Sequence, residues 1–397
     1  MNALDQSPTD ARFVQNPYQF YERARRAGPL FYWNEYQFVC ATSAATVGAI
    51  LRDRRFGREV PEEKRAPVPE NVRPFYAVEA HSMLELEPPR HTRLRNHVLR
   101  AFTSRRIAAL APEIAALSHT LIDAFPAGEF DLLSHFAQKL PVIVIARLLG
   151  VPEDRADDLL HWSNAMVAMY QARRTRATED AAVAATNAFV AFLNGYVEER
   201  LARPSDDLIT HLIAAEAGSD ALSTDELIST CILLLNAGHE ATVHTLGNGV
   251  KVLIEKGIGG EALAPDRVEA TVEEILRFDP PLHLFTRHAY DDIEISGHTF
   301  RRGDEVGLLL AAANRDPQAW DRPARFNPAR PAKANHSFGA GIHFCVGAPL
   351  ARLELQVALP ILFERLPGLA FAKKPRYANL YHFHGLERLQ VASRERG

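Results

Sequence analysis

Apolar positions recur at helical spacing from His91 to about Arg203. A still longer helical pattern opens at Ser223-Thr224-Asp225-Glu226, a capping-box signature in which hydroxyl and carboxylate satisfy each other's backbone amides. The pattern predicts one helix from there to about Lys256, on the order of 50 Å long at 1.5 Å per residue. Its middle, Cys231-Ile232-Leu233-Leu234-Leu235, is apolar on every face, so this helix is predicted to cross the interior. Elsewhere the period shortens. Phe31-Tyr32-Trp33 and Gln37-Phe38-Val39-Cys40 read as strands, followed by a helix from about Ala44 to Arg52. The Pro-rich, charged segment from Val60 to Phe75 reads as a long loop, a feature that in compact domains usually serves function. After Pro280 short strands and turns dominate, as in Asp292-Ile293-Glu294-Ile295-Ser296-Gly297, until a helix resumes beyond Cys345. No linker, repeat or low-complexity tract divides the chain. The reading is a single domain over 1–397, mainly α with a small β portion: a helix-rich body at about 91–280, and strand-rich portions at about 13–60 and 280–397.

Composition narrows the function classes. The formal net charge of −4 supplies no global basic field, so nucleic acid is not an expected partner. Three cysteines in 397 residues argue against a disulfide framework and fit a reducing compartment. The polar start, Met1-Asn2-Ala3-Leu4-Asp5-Gln6, lacks the features of a signal peptide, and no run of roughly 18 apolar residues occurs. A soluble, cytoplasmic protein without membrane contact is expected.

One cysteine stands in unusual company. Cys345 lies in His336-Ser337-Phe338-Gly339-Ala340-Gly341-Ile342-His343-Phe344-Cys345-Val346-Gly347. Glycines let the backbone turn tightly beneath a flat macrocycle and aim amides at a sulfur, and Gly347 removes a Cβ where the following helix would approach it. A buried structural thiol is the ordinary fate of a lone cysteine. The run from Phe338 to Gly347, however, resembles at every fixed position the F-G-x-G-x-H-x-C-x-G signature of the cytochrome P450 superfamily. The resemblance extends from about Asn16-Pro17-Tyr18 to the C-terminus. It implies the cytochrome P450 fold, haem b as cofactor, and Cys345 as the thiolate ligand of the iron; Cys40 and Cys231 read as packing residues.

Three further motifs fit the same family. In the long helix, Ala237-Gly238-His239-Glu240-Ala241-Thr242 sets small residues and one acid within an apolar span, where a carboxylate needs a reason to be. The stretch resembles the family's oxygen-binding segment, which makes Glu240, Ala241 and Thr242 the candidate catalytic positions. A zincin is not indicated, because His239 and His244 are five apart, about 140° out of alignment. Glu274-Ile275-Leu276-Arg277 would ordinarily be a weak surface pair. It is similar to the family's E-x-x-R motif, and with Arg330 it is expected to lock the loop that presents the cysteine. Finally, His91, Arg95, Arg287 and His343 match the positions that clamp the haem propionates, a task suited to guanidinium forks.

The resemblance implies a monooxygenase that hydroxylates or epoxidises a hydrophobic small molecule with O2, drawing electrons from an external ferredoxin and ferredoxin reductase. Arg95, Arg100, Arg105, Arg106 and Arg352 are candidate docking cations. By position, Tyr76, Met83, Leu84, Leu234, Ala237, His283, Phe285 and Phe383 are expected to line the substrate pocket, with His283 the polar exception. Two alternatives are a haem-thiolate peroxygenase, disfavoured because peroxygenases of the family carry Arg and Pro where this chain has Glu240 and Ala241, and a non-catalytic haem sensor. The chain departs from the family at Ala241, where Thr is usual, and this leaves open how protons reach the reacting oxygen. His382 and His384 form an H-x-H pair of low metal-binding weight.

Overall fold

The computed structural model describes residues 1–171, 174–214, 222–381 and 383–393. Contacts divide the chain into two compact units, one built from Met1–Lys64, Glu113–Ala137 and Ala241–Gly397, the other from Arg65–Pro112 and Gln138–Glu240. The boundary between Glu240 and Ala241 falls inside the helix Thr224–Lys256.

The first unit carries the sheets. Six strands run in the order Ala3–Leu4, Leu30–Trp33, Phe38–Ala41, Glu305–Leu309, Leu284–Ala289, Phe56–Gly57. Phe38–Ala41 pairs in parallel with Glu305–Leu309, which pairs antiparallel with Leu284–Ala289, so the segment bearing Arg287 sits inside the sheet. One face buries Val47, Ile50 and Phe300, and the other Phe20, Phe31 and Trp33. The helix Ala44–Arg52 has the predicted bounds, capped by the Ser43 hydroxyl accepting from the Thr46 amide. The Ile293–Ile295 and His298–Phe300 hairpin turns on Ser296 and Gly297, both at positive φ. The N-terminal region is less purely strand-like than its pattern suggested. Helices Ala11–Gln15 and Tyr18–Ala27 precede the strands, the first capped by Asp10, whose carboxylate accepts from the Arg12 and Phe13 amides.

The second unit is helical. The capping box forms as the sequence predicts: the Glu226 amide donates to Ser223 Oγ at 3.2 Å and the Ser223 amide to Glu226 Oε2 at 3.0 Å. Glu226 also pairs with Arg93 of the helix Arg90–Ala101, which fixes that helix against the start of the long one. Cys231, Ile232 and Leu235 are buried, whereas Leu233 is half-buried, so the span is not enclosed on every side. Gly238 is a packing position, since a Cβ there would stand 3.0 Å from Ile145 Cγ1. The predicted loop from Val60 to Phe75 is only partly one. Turns of 3-10 helix occupy Glu62–Lys64 and Glu70–Val72, and a helix, Arg73–Glu79, begins before the segment ends. Pro74 is compatible with this helix because proline, which breaks helix interiors, is tolerated in a first turn where its missing N–H has no partner to lose. Among the described residues no helix is long and apolar enough to cross a membrane.

Candidate active site

In the sheet-bearing unit the chemistry centres on the turn before the helix Ala348–Arg365. The Gly339 amide donates to the His336 carbonyl at 2.9 Å, the Phe344 amide to Gly341 at 3.1 Å, and the Cys345 amide to the Phe338 carbonyl at 3.0 Å. Gly339 and Gly341 adopt φ of +70° and +72°, and a Cβ on Gly341 would lie 2.2 Å from the Leu51 carbonyl oxygen. No other residue fits there without moving the backbone. The result is a closed loop that sets Cys345 at the positive end of a helix, which favours negative charge on sulfur. A Cβ on Gly347 would touch Cys345 Sγ at 3.9 Å.

The three thiols are not equivalent. Cys345 is exposed, while Cys40 and Cys231 are fully buried. Burial, with Glu305 nearby, pushes the Cys40 thiol well above its ordinary value, and burial with Asp207 pushes Cys231 up to about 12. Only a thiolate ligates iron, so among these three the accessible, glycine-cradled Cys345 has the donor chemistry and the clearance that a haem iron requires.

Behind the loop lies a buried polar lock. Arg277 meets both carboxylate oxygens of Glu274 at 2.7 Å, with side-chain exposures of 1% and 3%. Glu274 also accepts from the Asn327 amide at 2.8 Å and from Arg330 Nε at 3.3 Å. The remaining donors of Arg277 reach the carbonyls of Asn314 at 2.9 Å and Pro323 at 3.0 Å. Asn314 in turn accepts from the His336 amide at 2.7 Å and donates to Ser337 Oγ at 2.8 Å, at the root of the cysteine loop. Asn314 and Ser337 were not singled out from the sequence; no spacing rule marks an asparagine whose partners lie elsewhere in the chain. Arg352, a candidate docking cation, is committed to Glu273 and stacks 4.7 Å from the Phe338 ring.

The other candidates in this unit separate into two groups. Phe285 stands at the cysteine loop, 3.3 Å from where a Gly339 Cβ would be, and Arg287, two residues on along the same strand face, is buried. Its Nη1 donates to the Thr286 carbonyl at 2.7 Å. His343 is half-buried. Phe383 bridges to Leu282 and its ring lies 5.5 Å from His244. Ala241 is partly accessible, its carbonyl accepting from Thr245 Oγ1 at 2.7 Å, whereas Thr242 is buried. His283 belongs with the second group. The pocket reading gave its imidazole to a substrate, but the ring is fully buried, hydrogen-bonded to the Tyr21 hydroxyl and set 4.4 Å from the His384 ring, so its polar edge serves that cluster instead. Position 283 precedes the strand Leu284–Ala289 that carries Phe285 and Arg287. His382 of the H-x-H pair lies outside the described residues.

In the helical unit, His91 is buried and Arg95 half-buried, at i and i+4 on one face of Arg90–Ala101. Glu240 Oε2 lies 3.4 Å from His239 Nε2, and the Glu240 side chain is 17% exposed. Ala237 is exposed although it sits in the middle of a 33-residue helix, so space adjoins the helix there; Leu234, one turn before it, is buried. Tyr76 and Leu84 are half-buried and Met83 buried. This segment is tied to the long helix by the Ser229 hydroxyl donating to the Val78 carbonyl at 2.8 Å.

Comparison with known proteins identifies the family. The sequence profile of the family described as Cytochrome P450 matches residues 267–367, the stretch that holds Glu274, Arg277, Arg330 and Cys345. The chain is 35% identical over 395 residues to the biotin biosynthesis cytochrome P450 of Bacillus subtilis (strain 168), covering 97% of this chain and 98% of that one. It is 37% identical over 375 residues to the vitamin D(3) 25-hydroxylase of Pseudonocardia autotrophica, covering 91% and 89%. Among solved structures, P450BioI in complex with hexadec-9Z-enoic acid ligated acyl carrier protein superposes with a TM-score of 0.91 at 33% identity, covering 96% of this chain and 100% of the other. The chain therefore belongs to the cytochrome P450 family: it has that fold, and it is a haem-thiolate monooxygenase that uses O2, a redox partner and a hydrophobic substrate.

Proposed function

We propose that Cys345 is the axial ligand of the haem iron and that the chain hydroxylates or epoxidises a hydrophobic small molecule bearing at least one polar group. The observation that carries this reading is the contrast among the thiols, one exposed at a helix start in a glycine cradle and two sealed in the core. When bound, the haem supplies O2 activation, and the thiolate's electron donation favours O–O cleavage. The protein's own work is holding, protonating and excluding water. His91, Arg95, Arg287 and His343 supply cations and donors for the propionates, with Phe338 and Gly347 bordering the sulfur. Glu274, Arg277 and Arg330 hold the loop.

Glu240 takes up protons from solvent and passes them inward; its partial exposure and its contact with His239 suit that role. Ala241 brings no hydroxyl, so in this reading a substrate oxygen and ordered water complete the relay. Tyr76, Met83, Leu84, Leu234, Ala237, Phe285 and Phe383 contact the apolar body of the substrate. Electrons come from an external ferredoxin with its reductase, and the reaction takes place in the cytoplasm, with the whole chain acting as one catalytic domain. A peroxygenase is disfavoured, because Glu240 and Ala241 replace the Arg and Pro of that class.

The test is spectral. The reduced CO complex of the haem-loaded protein should show the strongly red-shifted Soret band of thiolate ligation. A screen of terpenoids, fatty acids, aromatics and steroids should then find ligands that shift the ferric Soret band. If no compound of these classes moves the band, the reading of a free hydrophobic small molecule as substrate fails.

A further inference from the structure

The cluster that claims His283 has a chemistry of its own. Asp279, His283 and His384 are all buried, and they offer one ligand atom each within 4.8 Å of one another, the sole such group found among the described residues. His384 Nε2 stands 3.5 Å from Asp279 Oδ1. Hydroxyls from three tyrosines surround the trio. Tyr18 donates to Asp279 Oδ1 at 2.6 Å, Tyr377 donates to Oδ2, and Tyr21 meets His283 Nδ1 at 2.9 Å. With Nδ1 engaged, His283 Nε2 has no hydrogen-bond partner, at zero exposure. A bare ring nitrogen in the core is costly, and native structures rarely leave one without a reason.

We propose that Asp279, His283 and His384 form a divalent metal site of the zinc class, distinct from the haem. Two imidazoles and one carboxylate are a borderline donor set that suits Zn²⁺, whereas Ca²⁺ and Mg²⁺ require oxygen ligands. The tyrosines occupy the positions that outer partners of a metal site occupy: hydroxyls on the carboxylate, and a hydroxyl whose oxygen can accept the hydrogen bond of Nδ1–H, the tautomer that leaves the lone pair on Nε2. The bound ion would clasp the entry to the strand Leu284–Ala289 to the segment that precedes the strand Leu386–Arg388.

The experiment uses haem-loaded protein dialysed against a chelator and then titrated with Zn²⁺ by calorimetry, with zinc and iron counted by mass spectrometry. We expect one zinc per iron, a rise in thermal midpoint on zinc addition, and zinc-edge X-ray absorption fitted by two imidazoles and oxygen without sulfur. Tyr21→Phe should weaken binding by about tenfold, within the range seen when outer partners of a metal are removed, and His283→Gln, which takes away a ligand, should weaken it more than Tyr21→Phe does. The absorption measurement needs only the unmutated protein, so it stands if a variant fails to fold. Failure of the unmutated protein to take up stoichiometric zinc, sulfur in the zinc shell, or undiminished binding by folded His283→Gln would each overturn the proposal and leave a hydrogen-bonded core cluster. None of these outcomes bears on Cys345.

Discussion

Arg277 spans the distance between an ion pair and a loop: it grips Glu274 with two donors and hands a third to the Asn314 carbonyl, 2.9 Å away, while the Asn314 side chain holds His336 and Ser337. Removing either charge strands the other in the core at about 3–5 kcal/mol. Glu274→Ala and Arg277→Ala are therefore expected to give poorly folded, haem-poor protein, measured by Soret-to-protein absorbance and thermal midpoint. Asn314→Ala loses two buried hydrogen bonds, about 2 kcal/mol, and should be intermediate. Normal haem content and ordinary stability in the Glu274 and Arg277 variants would exclude a structural role for the pair.

Ligation by Cys345 has its own test. Cys345→His should abolish the red-shifted CO band, while Cys40→Ser and Cys231→Ser leave its position unchanged. Gly341→Ala, whose Cβ meets the Leu51 carbonyl at 2.2 Å, should lose haem without touching the thiol.

Proton delivery gives the sharpest functional prediction. Thr242 is buried and about 100° round the helix from Ala241, so its hydroxyl does not replace the missing one. Substrate analogues without their polar group should bind yet release peroxide, and Ala241→Thr should restore their coupling more than it helps the parent substrate. Glu240→Gln should slow turnover on the order of 100-fold. Product formed per NAD(P)H consumed is the readout; equal coupling of stripped and intact substrates in the unmutated protein would exclude substrate assistance.

Glu354, on the helix after Cys345, makes a pH prediction. It is fully buried, neither carboxylate oxygen has a hydrogen-bond partner, and burial holds its pKa well above the ordinary 4.5. The folded chain thus keeps a proton that the unfolded chain releases, so stability present below pH 4.5 is lost as pH rises toward the folded value. Glu354→Gln should leave the thermal midpoint near pH 4.5 little changed and raise it at pH 7 to 8. A wild-type-like difference between those two pH values in the variant would show that Glu354 does not set the slope.

How much of this was legible in the sequence depended on how local the physics is. The start of the long helix was readable because Ser223 and Glu226 cap it through neighbours three residues away. The cysteine loop was readable because its glycines answer to a local backbone demand. Asn314 and the Tyr21–His283 bond were not, since each depends on partners far along the chain that no periodicity announces. His283 runs the other way: its position in the family resemblance suggested a substrate contact, whereas burial against Tyr21 and His384 sets its ring in a core cluster.

The close approach of Gly341 to Leu51 carries a consequence for biosynthesis. That contact joins a helix near the N-terminus to a loop near the end of the chain, and the sheet behind it likewise pairs Phe38–Ala41 with Glu305–Leu309. Non-local pairings of this span form late, after loop-closure entropy has been met. The cofactor's seat thus takes shape only after Glu305–Leu309 and Gly341 have left the ribosome, and until then Phe38–Ala41 has its hairpin neighbour Leu30–Trp33 but one bare edge, the kind of exposed edge that invites misassociation during synthesis.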